Sequence, residues 1–194
     1  MEGKEYWRKH NDYGLLESHP HRQTLLEELK KLEFDSLLEI GCNYAPNLSL
    51  IKKEYPEVKL AGIDINRDSI LRAILRVKDA ELIVGDVNNL PFKDKSFDVI
   101  LSDGVLIYVS PEEIDKVKSE MLRVARKALV LVEFHSEGLN EKGEASFDHW
   151  GRNYKELFKE YEVELTKITN WTERNWQTTG YFVTINLQKH EKEI

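Results

Sequence analysis

Acidic and glycine residues recur in this chain where short apolar runs stop: Glu39-Ile40-Gly41, Asp64, Gly85-Asp86 and Ser102-Asp103. An ionised carboxylate accepts hydrogen bonds and donates none, so several around one crevice suit a ligand rich in hydroxyl, amine or cationic groups. They suit a bare pyrophosphate poorly, because such a site needs glycine turns and helix N-termini that face the anion. Further along, Tyr108 and His135 add a phenol and an imidazole. Imidazole is the side chain whose unperturbed protonation changes near neutral pH. Asp103, Tyr108 and His135 are therefore the candidates to take a proton from a nucleophile. The plainer reading of His135 is a surface residue or one that supports the residues around a site. Cys42, the one cysteine, excludes an intramolecular disulfide and reads better as a small buried apolar group than as a nucleophile.

These residues must be positioned by the elements between them. Leu25, Leu26, Leu29 and Leu32 recur at helical spacing over 22–32. The apolar runs predict strands over 36–40, 58–63, 81–84, 97–101 and 128–133. Helices are expected over 47–55, over 68–77, and from Pro111 to about Arg126. Strands alternating with helices imply right-handed crossovers and a mostly parallel sheet, and near-continuous apolar strands imply burial on both faces. Two more strand-like runs, 161–168 and 181–187, have only a loop between them and read as an antiparallel pair at the sheet edge. The fold class is α/β: a doubly wound, seven-stranded, mostly parallel sheet with an antiparallel C-terminal hairpin and helices on both faces. Such sheets bind ligands at the carboxyl ends of their strands, which is where the acids fall. Asp98 opens a strand at the other end and is expected to be structural.

Taken in order, Leu38-Glu39-Ile40-Gly41-Cys42-Asn43, then Gly62-Ile63-Asp64, then Gly85-Asp86, then Leu90-Pro91-Phe92 with Ser96-Phe97-Asp98-Val99-Ile100, resemble the successive motifs of class I S-adenosylmethionine-dependent methyltransferases. The resemblance covers 36–133. It implies an enzyme with S-adenosylmethionine as cofactor and S-adenosylhomocysteine as product. It also implies that Gly41 lets the backbone pass close to the methionyl part of the cofactor, with Glu39 beneath it and Cys42 and Asn43 in the same loop. Asp64 would accept from both ribose hydroxyls and Ile65 would pack on the adenine face. Asp86 would accept from the adenine amino group, and Val87 would donate its backbone N–H to the ring. Ser102 would lie under the sulfonium. The family loop carries two further glycines where this chain has Asn43 and Ala45; Asn tolerates positive φ better than other non-glycine residues.

With 194 residues, 41% of them hydrophobic, the chain is long enough for one continuous core, and no repeat or linker marks a second domain. A single methyltransferase domain over 1–194 is expected, with an N-terminal helical cap or lid over 1–34, a cofactor-binding core over 35–135, and a substrate-side insertion plus hairpin over 136–194. Tyr6, Trp7, His10 and Tyr13 fit a lid and equally fit a helix packed on the core. His19 and His21 lack matching ligand spacing, so no metal is expected. Arg22 begins a helix or reaches an anionic substrate group. His149-Trp150-Gly151-Arg152-Asn153-Tyr154, Trp171 and Trp176 carry groups that bind sugars or aromatic rings, or else pack beneath the hairpin.

No apolar run approaches the roughly 20 residues that span a bilayer, and the charged start carries no export signal, so the expectation is a cytoplasmic protein without a membrane partner. A net charge of −7 disfavours nucleic acid as partner, since phosphates need cations. Neither an Asn/Asp-Pro-Pro-Tyr motif nor a Pro-Cys nucleophile is present, which removes two classes of base methylation. The expected function is methyl transfer to an oxygen or nitrogen nucleophile of a small molecule, a metabolite or saccharide. The alternatives are a methyltransferase acting on protein or RNA with a partner, and a non-catalytic cofactor-binding module. Nothing in the residues points to an oligomeric state.

Overall fold

A computed structural model describes residues 3–9, 19–146, 149–171 and 174–188; His10 and Tyr13 lie outside them. Helices α1 (Gly3–Lys9) and α2 (His21–Leu29) precede strand β1 (Ser36–Ile40), and α3 (Pro46–Glu54) crosses to β2 (Lys59–Asp64). Next come α4 (Arg67–Arg76), β3 (Glu81–Val84), β4 (Phe97–Asp103), a 3₁₀ turn at Leu106–Tyr108, and α5 (Ile114–Val124). Then β5 (Ala125–Phe134) leads to a small hairpin of β6 (Glu144–Ser146) and β7 (His149–Gly151), and α6 (Tyr154–Leu157) follows. The chain ends in β8 (Glu162–Lys167), α7 (Arg174–Thr179) and β9 (Gly180–Asn186).

Seven of these strands form one sheet in the order β3-β2-β1-β4-β5-β9-β8. The first five are parallel, and β9 runs antiparallel to both β5 and β8. Strand order reverses between β1 and β4, so their carboxyl ends open the crevice in which such sheets bind ligands.

Side chains alternate across each strand and both sets are apolar. Leu37, Val99, Leu101, Val130 and Val132 pack with Leu25 and Leu29 of α2, Leu48 and Ile51 of α3, and Ile70 and Ala73 of α4. Leu38, Ile40, Ile100, Leu129 and Leu131 pack on the other face against Val117, Met121 and Val124 of α5. At the amino end of the sheet, Asp98 accepts from the Asp35 backbone N–H at 2.8 Å and pairs with Arg126 at 2.9 Å.

Two expectations need correction. The helix expected from Pro111 starts at Ile114, because residues 111–113 form a turn in which both Glu113 and Ile114 donate to Ser110 O. It also stops at Val124, because Ala125 is extended (φ −76, ψ 144) and already pairs with Phe97. The connection between β8 and β9 is not a plain loop; it contains α7. Among the described residues, no helix is long and apolar enough to cross a membrane.

Candidate active site

The turn after β1 sets the site. Gly41 has φ +65, and a Cβ there would overlap the Val105 side chain. Asn43 (φ 48) and Ala45 (φ 62) also sit in the left-handed region. Asn43 is held there by two contacts: its N–H donates to Asp64 Oδ2 at 2.8 Å, and its Oδ1 accepts from Ser69 Oγ at 2.9 Å. Ala45 is the N-cap of α3, with Pro46 just inside the helix where its missing N–H costs nothing.

Beyond this turn lies a cavity of about 390 Å³ whose wall includes the carboxylates of Glu39, Asp64, Asp86 and Asp103. Asp64 accepts from the Asn66 and Asn43 N–H groups, both at 2.8 Å, one on each oxygen, so each oxygen keeps a second lone pair. Burial pushes its carboxyl above the ordinary value against those amides. Asp86 accepts from the Asn88 backbone and side chain at 2.9 and 3.0 Å. Ile65, Val87, Cys42 and Asn43 also line this space.

Glu39 and Asp103 occupy the floor. Burial pushes Glu39 up to about 8 against its bond from Asn47 Nδ2. Burial pushes Asp103 up as well, but the adjacent His21 and Arg22 charges and its hydrogen bonds outweigh that and hold it at about 2. His21 Nε2 lies 2.9 Å from Asp103 Oδ2. Glu39 Oε2 is buried and makes no hydrogen bond to any described residue.

The other half of the cavity is aromatic. Trp171 stacks on Trp176 at 4.1 Å and on His21 at 4.3 Å. Trp7 of α1 meets Tyr108 edge-on at 5.1 Å, and the Tyr108 hydroxyl lies 3.2 Å from His149 Nε2. Burial and the nearby Glu133 charge raise the Tyr108 phenol to about 12, so it stays protonated.

Two expected site residues are elsewhere. Ser102 is fully buried and donates to Glu133 Oε1 at 2.9 Å; it does not line the cavity. Strand alternation explains this: Asp103 projects with Glu39 on the cavity face, and Ser102 projects with Ile100 on the other. His135 lies one residue beyond Phe134, on that opposite face as well. It is buried, accepts from the Tyr154 N–H at 3.1 Å through Nδ1, and lies outside the cavity.

Sequence reasoning missed Glu133. It is fully buried and accepts from Ser102 Oγ and from the backbone N–H groups of Val105, Leu106 and Ile107, at 2.9 to 3.1 Å. That carboxylate fixes the chain after β4, including Val105 against Gly41. The only signal was an acid inside an apolar strand. Trp171, Trp176 and His149 had no spacing relation to Asp103 or Tyr108 that could place them together.

The turn, the acidic wall and the orphaned Glu39 oxygen fit a nucleoside that carries an amine-bearing tail. Residues 37–128 match the family described as a methyltransferase domain. The chain is 33% identical over 79 residues to the demethylmenaquinone methyltransferase of Thermotoga maritima, covering 41% of this chain and 34% of that enzyme. It thus spans about a third of that relative's length. A Haloferax volcanii methyltransferase solved with the Trm112 activator superposes with a TM-score of 0.71 at 19% identity, covering 95% of this chain and 96% of that one. The N-methyltransferase NodS of Bradyrhizobium japonicum, solved with S-adenosylhomocysteine, gives 0.69 at 18% identity, over 94% and 95%.

Proposed function

From the premise that this chain belongs to the class I S-adenosylmethionine-dependent methyltransferases, we propose that it moves the cofactor's methyl group to an oxygen or nitrogen of a small molecule. The observation that carries the reading is Asp64: a half-buried carboxylate at the end of β2, locked by two backbone amides beside the Gly41 turn, with acceptor capacity left for a ribose diol.

The cofactor, when bound, supplies an electrophilic methyl on a sulfonium. Everything else falls to this chain. Gly41 and Asn43 admit the tail, Asp64 orients the ribose, and Ile65, Asp86 and Val87 form the adenine side. The helices α1 and α2 act as the cap, since Trp7 and Arg22 belong to the cavity wall. Transfer from a sulfonium is an in-line displacement, so alignment and removal of one proton are the main tasks. The acceptor enters the aromatic half, where flat side chains exclude water. Tyr108, kept neutral, accepts a hydrogen bond from the acceptor and donates its own hydroxyl hydrogen to His149 Nε2 behind it, so that the acceptor's proton moves to Tyr108 as the Tyr108 proton moves to His149. Asp103 is a positioning residue: its Oδ2 already holds His21 and Asn47.

The test is calorimetric titration with S-adenosylhomocysteine, followed by a panel of phenols, amines and saccharides in which product release is followed. Binding together with turnover on a panel member is expected. A folded protein that binds no S-adenosylhomocysteine sinks the reading.

A further inference from the structure

Arg152 is fully buried, and its guanidinium makes four hydrogen bonds, all to backbone carbonyls. Nη1 donates to Leu106 O at 2.6 Å and Nη2 donates to Val109 O, within and just after the 3₁₀ turn that bears Tyr108. Nε donates to Lys142 O at 3.1 Å, and Nη1 also reaches Trp150 O at 3.4 Å. Those two carbonyls belong to the segment that runs through β6 and β7 and bears His149. A buried cation is costly to place without a carboxylate, so a guanidinium here needs a reason beyond filling space.

A short 3₁₀ turn leaves N–H groups unmatched at its start and carbonyls unmatched at its end. Glu133 of β5 accepts from the N–H groups of Val105, Leu106 and Ile107 at the start. Arg152 serves the carbonyls of Leu106 and Val109. A buried acid and a buried base therefore grip the turn from opposite ends, and Tyr108 lies between them. The backbone of Arg152 is itself pinned to the end of β5: its N–H donates to Phe134 O and its carbonyl accepts from Ser136 N–H, both at 3.1 Å. Gly143 lets the chain pass close to the guanidinium plane, since a Cβ there would lie 3.1 Å from Nε and 3.2 Å from Cζ and Nη2.

We propose that Arg152 is a positioning residue for the Tyr108–His149 pair: its planar fork, shared between two carbonyls beside Tyr108 and two beside His149, holds phenol and imidazole within hydrogen-bond distance. Five donors in one rigid plane can serve both segments at once, whereas the single nitrogen of a lysine cannot. Arg152 does not line the cavity, so it acts through the two side chains that do. It also lies outside the 37–128 segment that matches the methyltransferase domain, in the part of the chain nearest the aromatic half of the cavity. The assembly of the pair is independent of the reaction; its use in moving a proton rests on the methyl-transfer reading.

The experiment follows the His149 ring nitrogens by NMR in the full chain, with His149→Gln to identify their signals. Tyr108→Phe removes the hydroxyl and should shift the Nε2 resonance. Arg152→Lys keeps the charge but loses the fork; it should shift that resonance the same way, and adding Tyr108→Phe to it should shift it no further. S-adenosylhomocysteine affinity should stay at the native value in Arg152→Lys, because Glu133 still holds Val105 beside Gly41. On a panel acceptor, kcat should fall about 10- to 100-fold, the effect of misplacing a reacting group by about 1 Å. A mere strut would lower the melting midpoint of Arg152→Lys and leave the Nε2 resonance in its native place; that result, or a Tyr108→Phe change that leaves it there, overturns the proposal. If Arg152→Lys does not fold, Gly143→Ala displaces the fork by a few tenths of an ångström and is read the same way. A native protein that binds no S-adenosylhomocysteine yet shows both shifts condemns the methyl-transfer reading and leaves the positioning role standing.

Discussion

Glu39 and Asp103 share one donor: the single amide nitrogen of Asn47 lies 2.7 Å from the first and 2.9 Å from the second. Two acids held this closely in a buried floor do not both ionise readily, and their environments separate them. Asp103 takes the charge because His21 and Arg22 stand beside it. Glu39 keeps its proton up to about 8.

Ligand affinity should therefore depend on pH through Glu39. An ammonium at Oε2 favours the carboxylate, so binding S-adenosylhomocysteine near neutrality should release a proton. Affinity should rise with pH up to about 8 and then level off. The groups that set this are Asp103 and Asp64, which raise the Glu39 value, and Asn47 and Arg22, which lower it. Calorimetry in buffers of different ionisation heat measures the proton, and Glu39→Gln should abolish it.

The same acid gives a stability test with a definite sign. A folded-state value raised above 4.5 means that the stabilisation from the protonated acid is full below 4.5 and is lost as pH rises towards about 8. The melting midpoint of the unliganded native chain should fall more steeply across that interval than that of Glu39→Gln. Equal slopes would remove Glu39 from the account. Asp103 runs the other way: its contribution is present above 3.8 and is lost as pH falls towards about 2.

Asp64→Ala should weaken S-adenosylhomocysteine by on the order of 1.5–3 kcal/mol, the worth of charge-assisted hydrogen bonds to a diol. It also frees the Asn43 and Asn66 amides. A melting curve must therefore accompany the titration, to show that the loss is of ligand and not of fold.

Glu133→Ala removes the acceptor for four donors and leaves them buried. The expected loss is on the order of 3 kcal/mol in chemical denaturation, with weaker nucleoside binding as the Gly104-Val105 turn loosens. His135→Gln is the contrast. It should leave S-adenosylhomocysteine affinity unchanged, because its Nδ1 serves the Tyr154 backbone outside the cavity. A tenfold affinity change in His135→Gln would contradict that placement.

The sheet was legible in the residues because parallel strands buried on both faces leave unbroken apolar runs, as 36–40 and 128–133 do. The acids at strand ends were legible because strand termini and glycine turns share a local grammar. Which neighbour faces the cavity was not. Ser102 and Asp103 differ by one step of a two-residue period, and choosing between them needs the pairing partner, Leu131 or Val132. Arg22, Trp171 and Trp176 were harder still. They line the same cavity as the Gly41 turn only through tertiary packing of segments with no periodic relation to it. Helix α5 differs at its start because residues 111–113 close a turn on Ser110 O, and at its end because sheet pairing at Ala125 overrode a helix-compatible sequence.

The turn after β1 uses two side-chain-bearing residues at positive φ, Asn43 and Ala45, after one glycine, Gly41. Each strains the folded backbone slightly, yet each also gives the unfolded chain fewer conformations to surrender than glycine would. A loop so composed is set in shape before any ligand arrives. Little disorder then has to be frozen out at the moment of encounter, which favours rapid capture and a small entropic penalty. Ala45→Gly should show the opposite temperament: a slower, more enthalpy-driven association in stopped-flow and calorimetric measurements.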